Sequence, residues 1–138
     1  MNKYILDASF LVNVLADEGG KKPTEFFEKI SREVKKNSAE LYSLPLSFWE
    51  VANALRFKLP VQSEARELFA RFKVLPIKFL PLALEQMDEV LEMAYQVGGT
   101  VYDASYHFLA RSLGGTLITC DKKYFQKAKK LGAVELIY

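Results

Sequence analysis

The chain has 138 residues, half of them hydrophobic and 26% charged, a balance that excludes an intrinsically disordered protein and suits one compact domain with its own core. Cys120 is the single cysteine, which excludes an internal disulfide and a cysteine-based zinc site and fits a reducing compartment. A net charge of +2 is too small to argue by itself for a nucleic-acid partner, although lysine pairs at Lys21-Lys22, Lys35-Lys36, Lys122-Lys123 and Lys129-Lys130 offer phosphate contacts or plain solvated faces.

The first residues meet a charge at Asp7 before an apolar stretch of signal length can form, and no later run approaches membrane-spanning length, so a cytoplasmic protein is expected. Residues 4–6 read as a first strand, followed by a helical run through Phe10, Leu11, Val14 and Leu15 that Glu18, Gly19 and Gly20 break. A second helix is expected from about Pro23, burying Phe26, Phe27, Ile30 and Val34 and ending at Asn37-Ser38. Residues 40–44 form the next strand; Pro45 discourages further pairing, and Ser47 offers an N-cap for a helix over 48–58. A helix over 63–73 follows, then a strand within 74–80 interrupted or edged at Pro76. Pro81 opens a helix through Leu84, Met87, Val90, Leu91 and Ala94 that Gly98-Gly99 terminates. Residues 100–113 read as one more helix closed by Gly114-Gly115. Residues 116–119 then make a short buried strand, a helix runs from Asp121 through Leu131 to a stop at Gly132, and a last strand covers 134–137. Roughly five strands with helices on both faces, and no repeat or long linker, describe one domain over 1–138 built on a parallel sheet with crossover helices.

Such sheets bind ligands beyond the carboxyl ends of their strands. Asp7 and Asp121 stand at two such exits, while Glu50 and Asp103 occupy first helical turns and reach the same rim if those connections meet there. Each acid also has a local explanation. Asp7 and Asp121 suit N-caps, and Ser47 to Glu50 and Thr100 to Asp103 both fit capping boxes. Yet Glu50 sits among Leu46, Phe48, Trp49 and Val51, and Asp7 among Ile5, Leu6, Phe10 and Leu11, company that surface caps seldom keep. Gathered acids repel one another and take up protons unless a cation compensates. An all-carboxylate set without His or Cys suits Mg²⁺ or Mn²⁺ rather than zinc. His107, one turn after Asp103, reads more naturally as a packed residue than as a ligand.

Four segments in this order resemble the PIN-domain family, and within it the VapC-like toxins of toxin–antitoxin systems: Asp7-Ala8-Ser9-Phe10-Leu11, Phe48 to Leu55 around Glu50, Tyr102-Asp103-Ala104-Ser105-Tyr106, and Thr119 to Phe125 around Asp121. The resemblance covers essentially the whole chain. It implies a three-layer α/β/α sandwich with a central, mainly parallel sheet, a catalytic metal site for Mg²⁺ or Mn²⁺ made by Asp7, Glu50, Asp103 and Asp121, and hydrolysis of RNA phosphodiester bonds. It also implies supporting hydroxyls at Ser9 and Thr119, a small antitoxin partner and a homodimer. Asn53, one turn beyond Glu50, either contacts the site or serves helix packing. Lys122, Lys123 and Gln126 stand where many relatives carry a further acid or amide, which leaves one or two ions open. The expected chemistry is in-line attack by a water activated at the ion, giving 5′-phosphate and 3′-hydroxyl ends.

Phe26, Phe27, Phe57, Phe69, Phe72 and Phe79 in the middle section either fill the core or leave an apolar interface. Two rival readings share parts of this pattern. A phosphatase or phosphoacceptor module shares an aspartate after strand one, but Ser9 stands where the former needs a second aspartate. A non-catalytic PIN-like RNA-binding or scaffold protein keeps the fold without the chemistry, and the intact acidic quartet argues against it.

Overall fold

The structure, a computed structural model, describes residues 1–17 and 20–138. The proposed break at Glu18 and Gly19 lies outside the described residues. In chain order the elements are β1 (Asn2–Leu6), α1 (Ala8–Ala16), α2 (Lys22–Lys35), β2 (Ala39–Ser43), α3 (Leu46–Lys58), α4 (Gln62–Lys73), β3 (Ile77–Phe79), α5 (Met87–Val97), α6 (Val101–Leu113), β4 (Thr116–Thr119), α7 (Lys122–Ala128) and β5 (Val134–Leu136). The strands form a five-stranded sheet in the order β3-β2-β1-β4-β5, and every neighbouring pair is parallel.

A parallel sheet covered on both faces must be apolar on both, and the strands are. Leu6 and Ile118 face a core filled from α1 to α4 by Leu11, Leu15, Ile30, Val51, Leu55 and Phe72. Their neighbours Ile5 and Leu117 face the opposite core, with Val97 of α5, Tyr106 and Leu109 of α6, and Tyr124 of α7. The fold is therefore a three-layer α/β/α sandwich. Among the described residues no helix is long and apolar enough to cross a membrane.

Two local expectations are corrected and two are refined. Ser47 is not an N-cap: the helix begins at Leu46 because Pro45, with φ −54°, already has helical geometry, and the Ser47 hydroxyl donates back to the Leu44 carbonyl at 2.7 Å. The third strand starts only at Ile77, since Val74 closes α4 and Pro76 has no N–H to contribute to a ladder. Pro81 does not open α5; a 3₁₀ turn at Leu84–Gln86 does, held by the Ala83 N–H donating to Gln86 Oε1 at 2.7 Å. The helix after Asp121 keeps α geometry to Ala128 and tightens into a 3₁₀ turn over Lys129–Leu131 before Gly132.

The adjacent glycines after α6 act for different reasons. Gly114 takes the left-handed conformation that ends the helix, with φ +65°. At Gly115 a Cβ would lie 2.6 Å from the Lys3 carbonyl oxygen, so the bare backbone lets the chain approach β1 as β4 begins.

Candidate active site

Strand β1 has β2 on one side and β4 on the other, so the chain leaves its carboxyl end where the strand order divides. Leu6 pairs with Ile118, and the Asp7 N–H donates to the Ile118 carbonyl at 3.3 Å, which brings Asp7 beside Thr119 at the end of β4. Asp7 is 8% exposed. Its Oδ1 accepts from the Phe10 N–H at 2.9 Å, capping α1, and from the Ser9 hydroxyl at 2.7 Å. Burial pushes its carboxyl up to about 6; the Thr119 hydroxyl, the Phe10 N–H and the Ser9 hydroxyl oppose that rise, while the charge of Asp103 adds to it.

Asp121 caps α7, its Oδ1 accepting from the Tyr124 N–H at 3.0 Å, and its own N–H donates to Thr119 Oγ1 at 3.0 Å. Asp103 lies in the first turn of α6, where its N–H is capped by Thr100 Oγ1 at 3.1 Å. Burial raises its pKa, the charge of Asp121 raises it further, and the Thr100 bond and Lys127 oppose. Glu50 projects from α3 half-buried. Its Oε1 accepts from the Tyr106 hydroxyl at 2.7 Å, and burial followed by the charge of Asp103 raises its pKa against that bond. The capping box that Ser47 and Glu50 could have formed is not made, and Glu50 has a partner 56 residues away instead. Asp103 is the hub of the electrostatics, since Asp7, Glu50 and Asp121 each interact with it. Among the described residues no three His, Cys, Asp or Glu side chains are close enough together to grip one ion directly. The acids sense one another's charge at the carboxyl ends of the strands without collapsing onto a point.

The PIN-domain family pattern matches residues 4–131. The chain belongs to the PIN-domain family. It is 33% identical over 133 residues to Ribonuclease VapC3 of Pyrobaculum aerophilum, covering 91% of this chain and 94% of that relative. The solved structure of PAE2754 from Pyrobaculum aerophilum superposes with a TM-score of 0.64 at 28% identity, over 96% of this chain and 83% of that one. VapBC2 from Rickettsia felis, solved bound to a DNA fragment from its promoter, gives a TM-score of 0.71 over 99% of both chains; at 15% identity it shows the shared fold.

The hydroxyls around the PIN cleft form a continuous set. Ser9 Oγ donates to Asp7, lies 3.2 Å from Thr119 Oγ1 and accepts from the Cys120 N–H at 3.0 Å, so it joins the ends of β1 and β4. Ser43, at the end of β2, is fully buried and donates to the Leu6 carbonyl at 2.6 Å, fixing the backbone just before Asp7. Asn53 is exposed on α3, one turn beyond Glu50. The Cys120 thiol is pushed up to about 12, first by burial and then by the charge of Asp7, and stays protonated as a packing group.

His107 is fully buried between α6 and α7. The Gly132 carbonyl, 2.7 Å from Nε2, can only accept, so Nε2 carries the proton, and burial holds the ring neutral. Nδ1 then accepts from the Tyr124 hydroxyl at 2.7 Å. Both nitrogens are engaged, and the residue ties the helix bearing Asp103 to the helix following Asp121. Tyr106, Tyr124 and Ser43 carry roles that a linear reading passes over. Helical spacing gives a signal for Tyr106, since it stands three residues after Asp103 on the same face.

Proposed function

We propose that this chain is a metal-dependent endoribonuclease hydrolysing RNA phosphodiester bonds, with Asp7, Glu50, Asp103 and Asp121 around Mg²⁺ or Mn²⁺. The observation that carries the reading is electrostatic: on a PIN scaffold, Asp7, Glu50 and Asp103 are all raised first by burial and then by a neighbouring acid, Asp103 for Asp7 and Glu50 and Asp121 for Asp103. A divalent cation reverses both causes. The donor set fits it, since all four groups are hard oxygen ligands and Mg²⁺ takes one or two carboxylates while keeping several waters. That also suits acids that share a cleft without three of them touching one point.

When bound, the cation supplies Lewis-acid stabilisation of the charge growing on the phosphoryl oxygens. The chain's own residues do the rest. Ser9 and Thr119 hold Asp7 in its ionised orientation, and Tyr124 N–H orients Asp121. His107 is the chain's single histidine, and it is neutral and doubly bonded in the core, so no histidine pair serves as acid and base. Trp49 and Tyr102 stand exposed immediately before Glu50 and Asp103, which suits a substrate whose unstacked bases lie across the cleft.

The biological reading is the toxin of a toxin–antitoxin pair, acting in the cytoplasm as one domain over 1–138, in homodimeric form, and silenced by a small antitoxin protein. Exposed Phe57, Val61 and Leu84 support covered apolar faces in such assemblies. The deciding experiment incubates structured and unstructured RNAs with the full chain, with Mn²⁺ or a chelator, and maps the ends. The reading expects 5′-phosphate and 3′-hydroxyl products that vanish with chelator and in Asp7→Asn. Products carrying 2′,3′-cyclic phosphate, or cleavage indifferent to chelator, would refute it.

A further inference from the structure

We infer that Tyr106 is a positioning residue for Glu50, its hydroxyl holding that carboxylate in the orientation from which it serves a divalent cation. The inference rests on the nuclease reading above and goes beyond it. The four acids differ in how they are oriented. Asp7 and Asp121 each cap a helix and are held by that helix's own N–H groups, from Phe10 and Tyr124. Glu50 lies inside α3, where backbone N–H groups are spent on the helix itself, so it needs a donor from elsewhere. The donor is the Tyr106 hydroxyl at 2.7 Å, delivered by α6 from across the sheet end.

The donor is rigid. Tyr106 is 2% exposed, and its ring is packed with Ile5, Val97, Leu109, Ala110 and Leu117. A phenolic O–H on a fixed ring can satisfy Glu50 from one place only, so it selects a carboxylate rotamer as well as contributing a bond. Because Asp103 stands one helical turn before Tyr106, α6 carries both an acid of the cleft and the group that aims another acid at it. Hydrogen bonds to metal-binding carboxylates commonly change metal affinity by about 10- to 100-fold when removed. A bond that merely pinned α3 to α6 would change stability and leave affinity alone.

The test uses the full chain, freed of metal by chelation, with Mn²⁺ as the probe in titration calorimetry. Melting without metal and RNA cleavage are recorded alongside. Tyr106→Phe is expected to weaken Mn²⁺ binding by at least about tenfold. Combined with Glu50→Gln it should add no further loss, and para-aminophenylalanine at position 106, which restores a donor, should recover affinity. Unchanged Mn²⁺ affinity in Tyr106→Phe, or losses that multiply in the double variant, would overturn the inference. Should Tyr106→Phe not fold, Glu50→Asp keeps the charge but cannot reach the phenol, and wild-type affinity there is equally fatal. If wild type itself binds no Mn²⁺, the nuclease reading fails; if wild type binds and Asp7→Asn does not, an unaltered Tyr106→Phe sinks the positioning role alone.

Discussion

Asp7→Asn removes one charge from the cleft while keeping an oxygen that can accept from Phe10 and Ser9. In the folded chain this carboxyl titrates at about 6, against an ordinary value of 3.8. A raised folded pKa means that the folded state holds the proton more tightly than the unfolded one. The associated stability is therefore complete below 3.8 and is lost as the pH climbs through about 6. At 1.36 kcal/mol per pH unit the gap corresponds to about 3 kcal/mol, lost by the metal-free wild type near neutrality and not by Asp7→Asn, which has nothing to titrate. Urea unfolding in chelator, followed from about pH 4 to about pH 7.5, should show the variant gaining on wild type by about 2.5 kcal/mol over that range, the remainder being lost below about pH 4, whatever the fixed cost of the amide. Glu50 and Asp103 titrate in both proteins and largely cancel. Mn²⁺ at a hundred times its dissociation constant should then return about 2.7 kcal/mol to wild type and much less to the variant. A stability difference that stays constant across the pH range would refute the claim that Asp7 is held at a burial cost for a cation to relieve.

Gly115→Ala should destabilise the fold by about 1–3 kcal/mol, since its Cβ would meet the Lys3 carbonyl oxygen at 2.6 Å and a backbone oxygen yields only if β1 shifts; thermal melting reads it. His107→Ala strands the Tyr124 hydroxyl and the Gly132 carbonyl and should cost about 3 kcal/mol at neutral pH. Because the folded His107 is depressed below 6.5, its contribution is present above that value and fades as the pH falls, so the gap between wild type and variant should narrow in acid. Trp49, 68% exposed, contributes little to folding, and Trp49→Ala should leave the melting point in place while weakening single-stranded RNA binding by about 1–3 kcal/mol, measured by anisotropy in chelator.

What was legible in the sequence followed local rules. Hydrophobic runs at 4–6 and 116–119 mark two of the three inner strands, because strands buried on both faces have no polar alternation to hide them. Asp7 directly after the first run and Asp121 two residues after the second are visible as acids at strand exits, and the structure shows that they are N-caps as well, so the two explanations coexist. Ser47 misled because Ser-x-x-Glu satisfies a local pattern, whereas Pro45 had already set helical geometry and Glu50 had a better donor on α6. The Ser43 bond to Leu6 and the Tyr124 bond to His107 join residues that no spacing rule relates, and only the strand order brings them together.

On the proposed metal-dependent reading, the same burial that destabilises the metal-free chain would give these acids their affinity for a cation. Asp7 carries three hydrogen-bonding partners that favour its charged form, yet remains at about 6, so the apolar ends of β1 and β4 outweigh them. Were Asp7 as exposed as an ordinary cap, its carboxylate would be hydrated, its charge would be screened, and a cation would gain little by approaching. Held dry, and joined through Asp103 to Glu50 and Asp121, it would make proton release and cation uptake one linked event on that reading. Calorimetry of Mn²⁺ binding in buffers of different ionisation enthalpy should therefore detect protons released near pH 6, with the release shrinking well above that value; uptake that releases none near pH 6 would mean that the cation binds away from Asp7.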